Sequence, residues 1–81
     1  MSIIEISDST LEKDLKQKQI VYAAEGILEY WVIDLKAQQL IVFQQPSANE
    51  YQIQQTYTQG TLSPTAFDKI ELSVEKLLSF K

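Results

Sequence analysis

The 81-residue sequence has no cysteine, no histidine and no arginine, and only two glycines and two prolines. Without cysteine or histidine there is no disulfide framework, no zinc site, no thiol nucleophile, no imidazole base and no Ser-His-Asp triad. No apolar run approaches the roughly 18–20 residues of a membrane span, and no charged segment followed by an apolar core opens the chain. The sequence therefore reads as a soluble, cytoplasmic protein with no membrane partner. Positive charge is scarce too. Seven lysines stand against eleven acids, a net charge of −4. That balance gives no support to DNA binding through a broad basic face, which needs clustered cations on phosphates. It leaves room for a local phosphodiester site, where carboxylates hold a cation.

What is present fits one small domain spanning residues 1–81. Chains of this size bury little apolar surface and usually lean on disulfides, metals or association. With the first two closed off by composition, self-association into a homo-oligomer is the expectation.

Residues 2–6 form a β-branched, apolar run with Glu5 its only charge, and predict a strand. Ser9 and Glu12 have the spacing of a capping box, so a helix is expected over residues 10–24, ending at Gly26. Residues 27–34 (ILEYWVID) are apolar on both faces, which predicts a central strand. A turn at 35–37 leads to a strand over 39–44, and 46–49 form a second turn. Glu50–Tyr57 alternates, with Tyr51, Ile53 and Tyr57 on one face, and suits an edge or near-edge antiparallel position. Gly60 breaks the pattern, and the stretch around Pro64 reads as extended or irregular. Ser73 caps a last helix carrying Val74, Leu77, Leu78 and Phe80. The fold class is α+β, in the order β-α-β-β-β-α, with a mixed and largely antiparallel sheet.

The first helix holds an anomaly. At roughly 100° per residue, Leu11, Leu15 and Tyr22 fall within about 40° of one another and define a buried stripe. Lys18 lies inside it. Asp14 and Glu25 border it, and Lys13 and Lys16 point away. Burying an unpaired ammonium is costly, so Lys18 needs a partner or a route to water. Glu5, on the strand that feeds the helix, is the nearest candidate. Two readings stand: a structural ion pair with a snorkelling lysine, or a carboxylate and an amine converging on a phosphate or on metal-bound water. Glu29 and Asp34 read as charges at a hairpin end, with Glu29 facing the site as the alternative. Tyr22, Tyr30 and Trp31 read as core, with a base-stacking platform as the alternative. The glutamine-rich hairpin over 38–55 reads as a polar sheet surface, whose lack of charge also permits edge-to-edge pairing with another chain.

Three blocks together carry a resemblance: Glu5-Ile6-Ser7; Asp14-x-x-x-Lys18-x-x-x-Tyr22-Ala23; and Gly26-Ile27-x-Glu29-Tyr30-Trp31-Val32-Ile33-Asp34. They resemble the Uma-two type of endonuclease, in the PD-(D/E)XK restriction-endonuclease-like superfamily, as do Val42-Phe43 and Gly60-x-Leu62-Ser63-Pro64. The resemblance implies a truncated restriction-endonuclease-like core and a Mg²⁺-dependent phosphodiester site. Glu5 would be a metal ligand, Ile6 would offer its main-chain carbonyl, and Lys18 would be the catalytic lysine, displaced onto the helix from the position of Ser7. Such sites use hard oxygen ligands for a hard cation that acidifies bound water. Family members carry Pro-Asp a few residues before this glutamate, where this sequence has Met1. The match therefore covers the C-terminal half of the family's domain. Expected from this is a catalytically inactive, oligomeric or partner-dependent module with weak or absent Mg²⁺ binding. The alternative is a Mg²⁺-dependent DNA endonuclease completed by another chain.

Overall fold

The computed structural model describes residues 2–7 and 12–79, without the side chains of residues 12–14 and 66. The expected capping box at Ser9 and Glu12, the helix start at Thr10, and Leu11, Asp14 and Phe80 lie outside what is described.

Four strands form one mixed sheet in the order β1-β2-β3-β4: β1 (Ser2–Ser7), β2 (Glu29–Asp34), β3 (Gln39–Ser47) and β4 (Glu50–Tyr57). The helix α1 (Glu12–Ala24) lies between β1 and β2 in sequence, so these two strands pair in parallel, while β2-β3-β4 is an antiparallel meander. The expected class and order hold. The central position of β2 follows from its composition: residues 29–33 are all buried, so both faces must be covered.

Strand alternation divides the core between the faces. Tyr30, Val32, Ile41 and Phe43 meet Leu15 and Tyr22 of α1, with Ile3 of β1 at the margin. Trp31, Ile33, Leu40 and Val42 meet the second helix, α2 (Val74–Leu78), through Val74 and Leu78. Trp31 is 1% exposed, and its indole N–H has no hydrogen-bond partner among the described residues. A two-stranded ribbon, β5 (Thr61–Leu62) with β6 (Leu72–Ser73), frames a 3-10 turn at Thr65–Phe67 on that same side. The stretch was expected to be extended or irregular, and what the sequence did not indicate is its pairing into this ribbon. No helix among the described residues is long and apolar enough to cross a membrane.

The element ends have local causes. Gly26, at φ 76°, closes α1, with its N–H donating to Ala23 O and that of Ile27 to Tyr22 O, both at 3.0 Å. This paired arrangement satisfies carbonyls that a helix end would otherwise leave open. Asp34 Oδ1 accepts from Ala37 N at 3.0 Å and fixes the β2–β3 turn. Ser73 caps α2 by accepting from Lys76 N.

Two expectations need correction. β3 continues through Pro46, expected in the turn, to Ser47, and the tight turn is Ala48-Asn49 alone. Gln44 is paired with Glu29, the first residue of β2, so Pro46 lies beyond β2 and its missing N–H costs no second ladder. Tyr51 and Tyr57 also do not share a face. Gln45 sits at φ 58° and is skipped in the pairing, so the pleat breaks there. Tyr51 consequently packs with Phe43 on the α1 side, while Tyr57 packs on the α2 side.

Candidate functional site

Glu5 and Lys18, the two side chains singled out in the sequence, meet at a corner of the sheet beside β1. In parallel register Ile3 faces Tyr30 and Glu5 faces Val32, so Glu5 projects on the α1 side while Ile4 and Ile6 project on the other. Lys18 reaches it from the helix. Its Nζ donates to Glu5 Oε2 at 2.8 Å, with the lysine side chain 49% exposed and the glutamate 27%. Half of the lysine side chain is in water, so its ammonium is not buried.

Tyr22, one turn further along α1, donates its hydroxyl to the other carboxylate oxygen at 3.3 Å. Its ring meets Tyr30 edge-on at 4.9 Å, Tyr30 stacks on Phe43 at 5.4 Å, and Phe43 meets Tyr51 at 5.9 Å. This row runs from the Glu5 corner to the hairpin tip, where the Tyr51 hydroxyl donates to Ile27 O at 2.7 Å. The aromatic residues are core, as expected.

The electrostatics favour an anionic Glu5. Burial pushes its carboxyl up, but hydrogen bonds from Lys18 and Tyr30, the Lys18 charge and the Tyr22 hydroxyl outweigh burial. The pKa falls below its ordinary 4.5. Burial first, and the neighbouring Glu5 carboxylate second, push the Tyr30 phenol far up. Burial and then the nearby Tyr22 raise Tyr51.

Ile6 is half exposed on the edge strand. The adjacent Ser7 carbonyl accepts from Leu35 N at 2.7 Å, towards β2. Successive strand carbonyls point to opposite edges, so the Ile6 carbonyl is directed to the open side of β1. A carboxylate and a main-chain oxygen thus sit within one residue of each other, and both are hard donors suited to Mg²⁺. Asp8 and the Asp14 side chain lie outside what is described. Among the described residues no group of three or more acids stands close enough to hold a metal ion. One carboxylate and one carbonyl would give Mg²⁺ a single protein charge, and water and phosphate oxygens would have to fill the rest of its octahedral shell.

Glu29 is the residue that sequence reasoning placed wrongly. It is not a charge at a hairpin end, for it is 1% exposed. It lies on the α2 side of the sheet, facing away from Glu5. Thr65 N donates to it at 2.8 Å, Thr65 Oγ1 at 2.8 Å and Gln44 Nε2 at 2.6 Å. The cross-strand Gln44 was a local clue. Thr65 is 36 residues away and gave none.

The chain is similar to known proteins over nearly its whole length. A family model described as "Uma2: Putative restriction endonuclease" matches residues 2–75. Among solved structures, one titled as a "putative nuclease belonging to DUF820" from Anabaena variabilis superposes with a TM-score of 0.66 at 22% identity. That match covers 94% of this chain and 42% of the other, so this chain spans less than half the length of the protein it resembles. No curated protein matches.

Proposed function

Because the chain belongs to the Uma2 family of restriction-endonuclease-like proteins, we propose that it is a nuclease-fold module that does not cut DNA by itself and works through a partner. One observation carries this reading: Glu5 and Lys18 meet at 2.8 Å on the β1 edge, and among the described residues no group of three or more acids gathers to hold a metal ion. The lysine ammonium then neutralises the carboxylate that a divalent cation would otherwise need, and the corner rests as an ion pair.

The same geometry favours a second reading. The family generally uses Mg²⁺, and here Glu5 and the Ile6 carbonyl would hold it, with Lys18 beside the phosphate. An acid supplied by another chain at the open β1 edge would complete a DNA endonuclease site. In that assembly Glu5 stays anionic at neutral pH, and Lys18 swings from the carboxylate to the phosphate over a short distance, because its head is already in water.

Cleavage of supercoiled plasmid with Mg²⁺ or Mn²⁺ tests both, beside Glu5→Gln and Lys18→Ala. Folded protein that leaves plasmid intact is the expected result. Cleavage lost in both variants would overturn the first reading and establish a site complete without a foreign partner. Cleavage indifferent to either variant would remove this corner from the chemistry altogether.

A further inference from the structure

The sheet has two outer strands, and they are guarded differently. β1 carries a charge at its centre, Glu5, and is six residues long. β4 is eight residues long, its outer edge is unpaired among the described residues, and it holds neither lysine nor proline. Between residues 37 and 67 the one charged side chain is Glu50, at the extreme start of β4. Edge strands are normally protected by charge, proline, a bulge or brevity, and the stretch from Ile53 to Tyr57 has none of these. It pairs with β3 in unbroken register, from Gln44↔Ile53 to Leu40↔Tyr57.

We infer that β4 is a self-association edge, which pairs antiparallel with β4 of a second copy about a two-fold axis at Gln55. The chemistry argues for a copy of this chain over a different partner. A glutamine amide carries both donor and acceptor, so a glutamine-bearing edge is complementary to itself. Centring the axis on Gln55 sets Ile53 opposite the copy's Tyr57, and the reverse, on one face. These are the aliphatic–aromatic cross-strand pairs that sheets favour. Gln54 and Thr56 pair on the other face, and Glu50 falls outside the paired segment, so no like charges meet. The result is a continuous eight-stranded sheet. Its outer strands are the two copies of β1, which leaves both Glu5–Lys18 corners open. The inference goes beyond the proposed function and does not depend on it, since β4 pairing supplies no acid to either corner and its readout is mass, not cleavage.

Light scattering across a dilution series tests it on the whole chain. Gln55 is exposed, so Gln55→Lys and Gln55→Glu keep the fold, which circular dichroism verifies. The wild type is expected to form a dimer that dissociates on dilution. Each variant is expected to stay monomeric, because like charges face each other at the axis, and an equimolar mixture of the two to recover the dimer. A wild type monomeric at every concentration overturns the inference. So does a dimer that survives Gln55→Lys, or one lost instead in Ile4→Lys on β1.

Discussion

Two glutamates on adjacent strands, Glu5 of β1 and Glu29 of β2, show how one side chain type is used in opposite ways. They stand on opposite faces of the same sheet. Glu29 is sealed from water and saturated by three neutral donors, which tie the segment around Pro64 and Thr65 to the sheet. Glu5 is partly exposed on an outer strand and held by one cation and the neighbouring Tyr22 and Tyr30 hydroxyls. A buried carboxylate with fixed donors is committed to structure, because losing one partner leaves a buried polar group unsatisfied. A carboxylate at an edge, balanced by a lysine that water can also reach, keeps its charge and can exchange its partner. The contrast lies in burial and in the kind of donor.

Substitutions separate the two roles, the largest expected effect first. Glu29→Ala should cost about 3 kcal/mol in urea unfolding, since it orphans Thr65 and Gln44 donors. A loss below about 1 kcal/mol would return Glu29 to the surface charge that sequence reading made it. Thr65→Val removes the hydroxyl donor and keeps the N–H, and should cost about 1.5 kcal/mol, as for a hydrogen bond to a charged group. Glu5→Gln should change stability by less than about 1 kcal/mol, as an exposed ion pair does. A larger loss would make the corner a structural element like Glu29. Lys18→Met should leave the melting temperature level or slightly higher, because it exchanges a half-exposed ion pair, which contributes little, for an apolar side chain of similar length.

The smallest effect is in the pH dependence. The Glu5 carboxyl has a lowered pKa in the folded chain, so the folded state binds this proton less readily than the unfolded one. Its contribution is complete above the ordinary value of 4.5 and disappears as pH falls through the lowered one. Melting curves of wild type and Glu5→Gln should therefore converge in acid and separate towards neutral pH. Curves that stay parallel would mean that Lys18 and Tyr22 do not act on this carboxylate.

Much of this was legible in the residues. The doubly apolar run of β2, the stop at Gly26, the cap at Ser73 and the lysine out of place on the α1 stripe all depend on near neighbours or on periodicity, which a sequence displays directly. The Lys18–Glu5 pair was reachable because one strand leads straight into one helix. What escaped depended on distant chain. Glu29 read as exposed because its decisive partner is Thr65, and nothing local marks that contact. Tyr51 was assigned to the wrong face because ideal alternation ignores a left-handed residue, and Gln45 carries no glycine-like warning. Pro46 read as a turn because the early end of β2, which frees that position, is a property of the neighbouring strand.

The parallel pairing of β1 has a consequence for dynamics. β2, β3 and β4 are joined by short turns, whereas Ser2 meets Glu29 only after the chain has passed through all of α1. Among the described residues β1 has one strand neighbour, and Ile4 and Ile6 remain about half exposed. Non-local contacts at an edge open at lower free energy than a central meander, so amide exchange along β1 should outrun that of β2. Each such opening carries Glu5 away from Lys18. The corner thus exists only in the fraction of molecules with β1 docked, and whatever ligand requires both side chains must also hold that strand in place. Its binding would be read as slowed exchange at residues 3–6, far more sensitively than as any change in shape.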